Sequence, residues 1–226
     1  MNNDKLLEYD MGSGVRAFTA GRDVELPCTV VQPHQTHSTN VAYVDRPNLT
    51  REDLEGVDAL VTDLTDVAIG VRTADCIPVL LYDPVHRAIG AAHSGWRGTV
   101  NMIVKKTVLE MCHLFGTRPE DIRAVIGPGI GYDSFQVGDD VALVFKESGF
   151  PIDRVWSFRG ARKEGSMEGG HHIDLKECVR YSLEECGVPQ KNITVSHIDT
   201  YIDSNYYSAR REGISCGRNI NAIMLI

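Results

Sequence analysis

No apolar run in these 226 residues approaches the roughly 20 needed to cross a bilayer, so no membrane-spanning helix is expected. The opening residues, MNNDKLLEYDMGSG, lack a basic segment followed by an apolar one, and no secretory signal is expected. Basic residues are the minority. With 23 Lys and Arg against 31 Asp and Glu, the formal charge is −8, which argues against a general nucleic-acid binder and its basic face. The six cysteines include no C-x-x-C pair, so reduced thiols in a cytoplasmic protein fit better than a disulfide framework. Three glycines in Gly127-Pro128-Gly129-Ile130-Gly131 lack the spacing of a dinucleotide fingerprint, and NAD is not expected. Repeats and low-complexity tracts are also missing.

What remains is an ordinary globular composition, 42% hydrophobic and 24% charged, in a chain long enough for a full core. One domain spanning 1–226 is expected. Chemistry concentrates in residues 68–101, AIGVRTADCIPVLLYDPVHRAIGAAHSGWRGTVN. The apolar runs at 77–82 and 88–92, joined by Asp83-Pro84, read as two strands of one sheet. Asp75 and Cys76 enter the first strand and His93 leaves the second, so thiol and imidazole are expected to meet at one sheet edge. The turn Ser94-Gly95-Trp96-Arg97-Gly98 then opens a helix over 99–115, and Gly116 stops it. Free N–H groups at Gly95 to Gly98 make a candidate anion site.

Further strands are expected at 15–19, 28–31, 40–44, 57–62, 67–72, 122–126, 156–158, 193–196 and 220–226, with helices over 139–147 and from Leu175 through Leu183. Residues 159–170, rich in glycine and charge, read as a mobile loop, and His171-His172 is placed near the N-terminus of the following helix. Strands interleaved with helices predict a mixed α+β fold, a sheet covered by helices.

Two histidines, His34 and His37, lie in a loop after a strand and a proline. Either one, joined to Cys76 and His93, would give two nitrogens and a sulfur, a set suited to Zn²⁺ with an open fourth position. Arg72 approaches the same place, either paired with Asp75 or forming a fork for phosphate or carboxylate. Tyr206, Tyr207, Arg210 and Arg211 are candidates for the wall of a pocket.

The segments HQTHSTNV, GVDALVTD, VRTADCIPVLLYDP, AAHSGWRGTV, IGPGIG, IDLK and YYSARREG…GRN resemble the YfiH-like laccase-domain family from about His34 to the C-terminus. The resemblance implies a layered α/β/β/α sandwich and a metal trio of His37, Cys76 and His93, which selects His37 over His34. It also places Arg72, Asp75 and Arg210 near the pocket. Ser38 stands where the family has glycine. The segment between Phe18 and Gln35 is shorter than the family's, so part of the pocket wall is expected to be either missing or supplied by a neighbouring copy in a homodimer.

The resemblance implies a zinc-dependent purine nucleoside phosphorylase acting on adenosine, inosine, guanosine and methylthioadenosine, with adenosine deaminase activity; copper is the alternative metal. Its substrates would be a purine nucleoside and phosphate. Cys76, His93, His37 and Asp75 are the expected catalytic residues, and Arg72, Gly95, Trp96, Arg97 and Arg210 the expected substrate or phosphate contacts. Competing readings are a metal-free Cys–His hydrolase or peptidoglycan-editing factor acting on a cell-wall precursor amide, a metal-storing scaffold, and a copper-dependent polyphenol oxidase. For the last, the sequence offers no ligand set for the further coppers that reduction of O₂ would need.

Overall fold

A computed structural model describes residues 6–159 and 169–226. The chain enters through β1 (Leu6–Tyr9) and β2 (Val15–Ala20), an antiparallel pair. Short extended pieces follow: β3 (Val30–Val31), β4 (Val41–Tyr43) and β5 (Ala59–Thr62). Next come β6 (Ala68–Thr73), β7 (Ile77–Asp83) and β8 (Ala88–Ser94). Helices α1 (Trp96–Val100) and α2 (Ile103–Phe115) precede β9 (Arg123–Ile126), β10 (Gln136–Val137) and α3 (Asp139–Glu147). The chain continues through α4 (Ile152–Val155), β11 (Trp156–Arg159) and β12 (Gly170–Ile173). It closes with α5 (Leu175–Glu185), β13 (Ile193–Val195), α6 (Ala209–Glu212) and β14 (Asn219–Leu225).

Two mixed sheets stack face to face. One has the order β13-β9-β7-β8-β5-β4, and the other β1-β2-β14-β6-β3. A small third sheet, β10-β12-β11, carries β11 as an edge strand, as expected.

The sequence of β7 explains the stacking. All seven of its residues are buried, because alternate side chains enter different cores. Ile77, Val79 and Leu81 pack with Val104, Val108 and Met111 of α2 and with Val179 and Leu183 of α5. Leu80 and Tyr82 point the other way, toward Val15, Ile69, Val71 and Ile223 of the five-stranded sheet. β8 divides likewise, Ala88 and Ala92 to the helices, Ile89 and Ala91 to the second sheet. Gly90 lets α2 lie close, since a Cβ there would sit 3.2 Å from the Met111 sulfur. The outermost layer is thin. Phe18, Ala20 and Ala222 are covered by Leu6, Val24, Leu26, Cys28, Val30 and Ile220.

Two expectations change and a third is refined. The helix over 99–115 starts earlier, at Trp96, and breaks at Asn101-Met102, where Met102 takes a left-handed φ of 61°. Val100, Ile103 and Val104 still pack toward the same core, so the apolar periodicity runs through the break without marking it. His171 and His172 do lie just ahead of the helix, but within a strand, β12, and Asp174 caps the helix by accepting the Glu177 N–H at 3.0 Å. The strand expected from Cys28 shrinks to Val30–Val31. Of the expected loop 159–170, residues 160–168 lie outside the described residues. Among the described residues no helix is long and apolar enough to cross a membrane.

Truncating Leu80 to alanine should lower the unfolding free energy by about 3 kcal/mol, because the sheets cannot close the void. Leu109, 54% exposed on α2, should change it by less than about 0.5 kcal/mol on the same truncation. Urea unfolding midpoints of the two variants check the assignment of the inner layer.

Candidate metal centre

β7 and β8 pair antiparallel, with Ile77 opposite Ser94 and Pro78 opposite His93. That register brings Cys76, just before β7, to the same sheet edge as His93. The third residue arrives on the loop after β3, which is pinned twice. The Gln35 side chain bridges the backbone of Arg72, accepting its N–H and donating to its carbonyl, both at 2.8 Å. The Asp58 carboxylate then accepts the N–H groups of Thr36, His37 and Ser38 at 3.0, 3.1 and 2.8 Å. His37 itself holds φ at 62°, in the left-handed region that most side chains avoid.

The result is a cluster. Donor atoms of His37, Cys76 and His93 lie within 4.8 Å of one another. Cys76 Sγ is 3.9 Å from His37 Nε2, and the two imidazoles meet edge to face at 4.9 Å. His93 Nδ1 lies 2.7 Å from Asp58 Oδ1, which leaves Nε2 as its free donor. A carboxylate behind a histidine in this way sets its tautomer and ring orientation for a metal. Gly95 completes the cradle: a Cβ there would approach Cys76 Sγ at 2.9 Å and His37 Cδ2 at 3.0 Å. Two imidazoles and a thiol, with room for a further ligand, fit a borderline-soft cation such as Zn²⁺.

Electrostatics agree with the geometry. Burial alone would raise the Cys76 thiol, but the charge of His93 and hydrogen bonds from His37 and His93 outweigh it and hold the thiol at about 6. Burial would lower His93, yet the Cys76 charge and the Asp58 hydrogen bond lift it to about 9. Asp58 is wholly buried. Against that burial, His93 and the backbone N–H groups hold its carboxyl down at about 2. Burial pushes the other five cysteines, Cys28, Cys112, Cys178, Cys186 and Cys216, upward.

The trio opens into a cavity of about 610 Å³ that is also lined by Gln35, Arg51, Arg72, Ala74, Ala209, Cys216 and Arg218. Of the residues expected to touch substrate, Arg72 lines it. Arg97 is exposed and stacks on Trp96 at 4.3 Å, and neither residue lines the cavity. Arg210 donates to the Gln136 carbonyl at 3.1 Å and lies over Phe135, facing a neighbouring cavity. Gly95 acts by lacking a side chain. Asp75 is neither paired with Arg72 nor behind a histidine. Its carboxylate accepts from the Thr200 hydroxyl and the Arg210 N–H, each at 2.7 Å. His34 lines the cavity but bonds to Glu55. Asp58, Arg51 and Arg218 escaped the sequence reading. For Asp58 the available signal was an acidic residue directly before the wholly buried Ala59–Thr62 run.

Residues 16–226 match the family described as multi-copper polyphenol oxidoreductase laccase. The chain belongs to that family. A purine nucleoside phosphorylase of Bacteroides thetaiotaomicron is 43% identical over 208 residues, covering 89% of this chain and 75% of the relative. An adenosine deaminase, RL5, from an unknown prokaryotic organism is 40% identical over 201 residues, 86% of this chain and 74% of its own. Among solved structures, the hypothetical protein YfiH of Bacillus licheniformis superposes with a TM-score of 0.86 at 26% identity, covering 98% of this chain and 97% of that one.

Two outcomes follow from this geometry. In chelator-treated protein, iodoacetamide at pH 7 should label Cys76 well ahead of the other cysteines, with labelling falling as pH drops through about 6; peptide mass mapping reads both. Asp58→Asn leaves the histidine and loop N–H groups without their charged partner and should cost about 3 kcal/mol of stability. Metal content should fall with it, and wild-type metal stoichiometry in this variant would overturn the role given to Asp58.

Proposed function

We propose that this chain is a zinc-dependent purine nucleoside phosphorylase with adenosine deaminase activity, acting on adenosine, inosine, guanosine and methylthioadenosine. The observation that carries this reading is the His37–Cys76–His93 cluster at the end of a cavity of nucleoside size. The names carried by the family relatives support it. His37 Nε2, Cys76 Sγ and His93 Nε2 would hold the ion. When bound, zinc supplies Lewis acidity that makes water a competent nucleophile near neutral pH.

The chain's own residues do the rest. Asp58 fixes the proton on His93 Nδ1, so that Nε2 stays a donor to the metal. Asp75 works as a positioning residue. By holding Thr200 and the first turn of α6, it keeps Ala209 against the cavity. Gln35 ties the His37 loop to β6 and so fixes the distance between His37 and Arg72.

The hydrolase reading has one observation in its favour. Thiol, imidazole and carboxylate stand in the order Cys76, His93, Asp58, with the thiol lowered and the imidazole raised, the arrangement of a nucleophile activated by an oriented base. A cell-wall precursor amide would then be the substrate. For the copper oxidase, the described residues contain one cluster of three or more metal-binding side chains, room for a single ion.

Elemental analysis of purified protein should find about one zinc per chain. Stripping it should abolish phosphorolysis of inosine and deamination of adenosine together, and adding zinc back should restore both. Cys76→Ala should lose metal and both activities. Turnover surviving in metal-poor protein but abolished by alkylation of Cys76 would sink the zinc reading and favour the hydrolase.

A further inference from the structure

The chain carries eight more negative than positive formal charges, yet no carboxylate lines the cavity among the described residues, and three arginines do: Arg51, Arg72 and Arg218. Their environments differ. Arg72 is half-buried, and its only hydrogen bonds among the described residues run through its backbone, to Gln35. Its guanidinium faces the cavity without an acidic partner. Burial, then Arg51, then Arg218 lower its pKa: both other cations repel Arg72 across a shared space. Arg51 is exposed at the rim and has no ion pair among the described residues. Arg218 gives donors to the carbonyls of Ile214, Cys216 and Gly217, so it contributes mainly charge. Asp75, the nearest acid in sequence to the thiol, is committed elsewhere, to Thr200 and Arg210.

Mutually repelling cations held beside a cavity lower stability unless an anion joins them. A purine nucleoside is neutral near pH 7, and deamination adds only water, so neither supplies that anion. Phosphorolysis does. Guanidinium forks suit a phosphate's oxygens, each pair of parallel N–H groups matching two of them.

We propose that Arg51 and Arg72, with the added charge of Arg218, seat the inorganic phosphate that phosphorolysis consumes. This rests on the nucleoside phosphorylase reading. In the step, a phosphate oxygen bonds to C1′ of the ribose as the C1′–N9 bond breaks. The electron pair of that bond leaves on the purine, which takes up a proton from solvent, and the sugar leaves as its 1-phosphate. The arginines touch only the phosphate, so they govern this reaction and not the replacement of an amino group by water.

The test compares zinc-loaded wild-type protein with Arg51→Gln, Arg72→Gln and Arg72→Lys, following inosine cleavage against phosphate concentration and adenosine deamination without phosphate. The KM for phosphate should rise at least tenfold in both glutamine variants, and the ratio of phosphorolysis to deamination should fall by at least as much. Arg72→Lys should recover part of the loss. Calorimetric titration with inorganic phosphate alone should show the same order of affinities. Arg51 is exposed, so its variant should fold even if those at Arg72 do not, and thermal unfolding checks each. Unchanged phosphate affinity in Arg51→Gln and Arg72→Gln, or equal loss of both activities, would overturn the proposal. So would a preference for a nucleoside 5′-monophosphate over inosine plus phosphate, lost in the same variants, since the arginines would then hold the substrate's own phosphate. Wild-type protein inactive on both nucleosides would defeat the phosphorylase reading instead, and the phosphate titration would then decide the seat by itself.

Discussion

One buried carboxylate holds the site together. Asp58 accepts from His93 through one oxygen and gathers the N–H groups of residues 36–38 with both, while its own backbone carbonyl accepts the His93 N–H at 2.8 Å. A charge with no solvent exposure is expensive unless each of its lone pairs finds a donor, and here the donors are the elements that must converge. Loop 34–38 has little regular structure to place it. Its position is the one that satisfies Asp58, and the left-handed φ of His37 is strain accepted for that purpose. The same bonds that make the carboxylate tolerable aim both imidazoles at Cys76.

The sheets make this possible by being rigid where the loops are not. β7 and β8 are buried on both faces, one toward helices and one toward the second sheet, so the edge from which Cys76 and His93 project moves with two cores at once. Small residues then do steric work around the donors. Gly95 clears space for the sulfur, and Gly129 lies where a Cβ would sit 3.0 Å from the Asp75 carbonyl and 3.2 Å from that of Cys76. A tightly packed interior transmits any shift of such positions.

How legible this was in the sequence depended on the range of the interactions. The pairing of β7 with β8 could be read, because two short apolar runs around Asp83-Pro84 leave few other arrangements. So could the meeting of Cys76 and His93, which follows from that pairing. The choice of His37 over His34 could not be read from the residues themselves. It depends on Asp58 and on Glu55, which draws His34 aside, and only the family resemblance supplied it. Asp75, expected among the catalytic residues and as a partner of Arg72, enters β7 with φ at 86°, and its carboxylate turns toward Thr200 and Arg210. Sequence adjacency at a strand end says little about direction, since successive side chains point to opposite faces. Arg97 and Arg210 misled for a similar reason: motif proximity to the site did not place their guanidinium groups in the cavity.

The arginines also bear on how a negatively charged protein can handle an anion. Formal charge summed over the surface acts at long range, where salt screens it beyond about 8 Å at physiological ionic strength. Inside a cavity with poorly polarisable walls, nearby charges dominate. The 31 acidic residues therefore set solubility and leave the local field to the few groups that line the pocket. Those groups are sorted by kind, with a sulfur and two imidazoles suited to a soft cation, and guanidinium groups suited to oxygen anions. Asp58 bonds to His93 and the loop backbone, and Asp75 to Thr200 and the Arg210 N–H, so neither carboxylate pairs with the arginines of the cavity. The acids that build the site are thereby kept from pairing with the cations that line it.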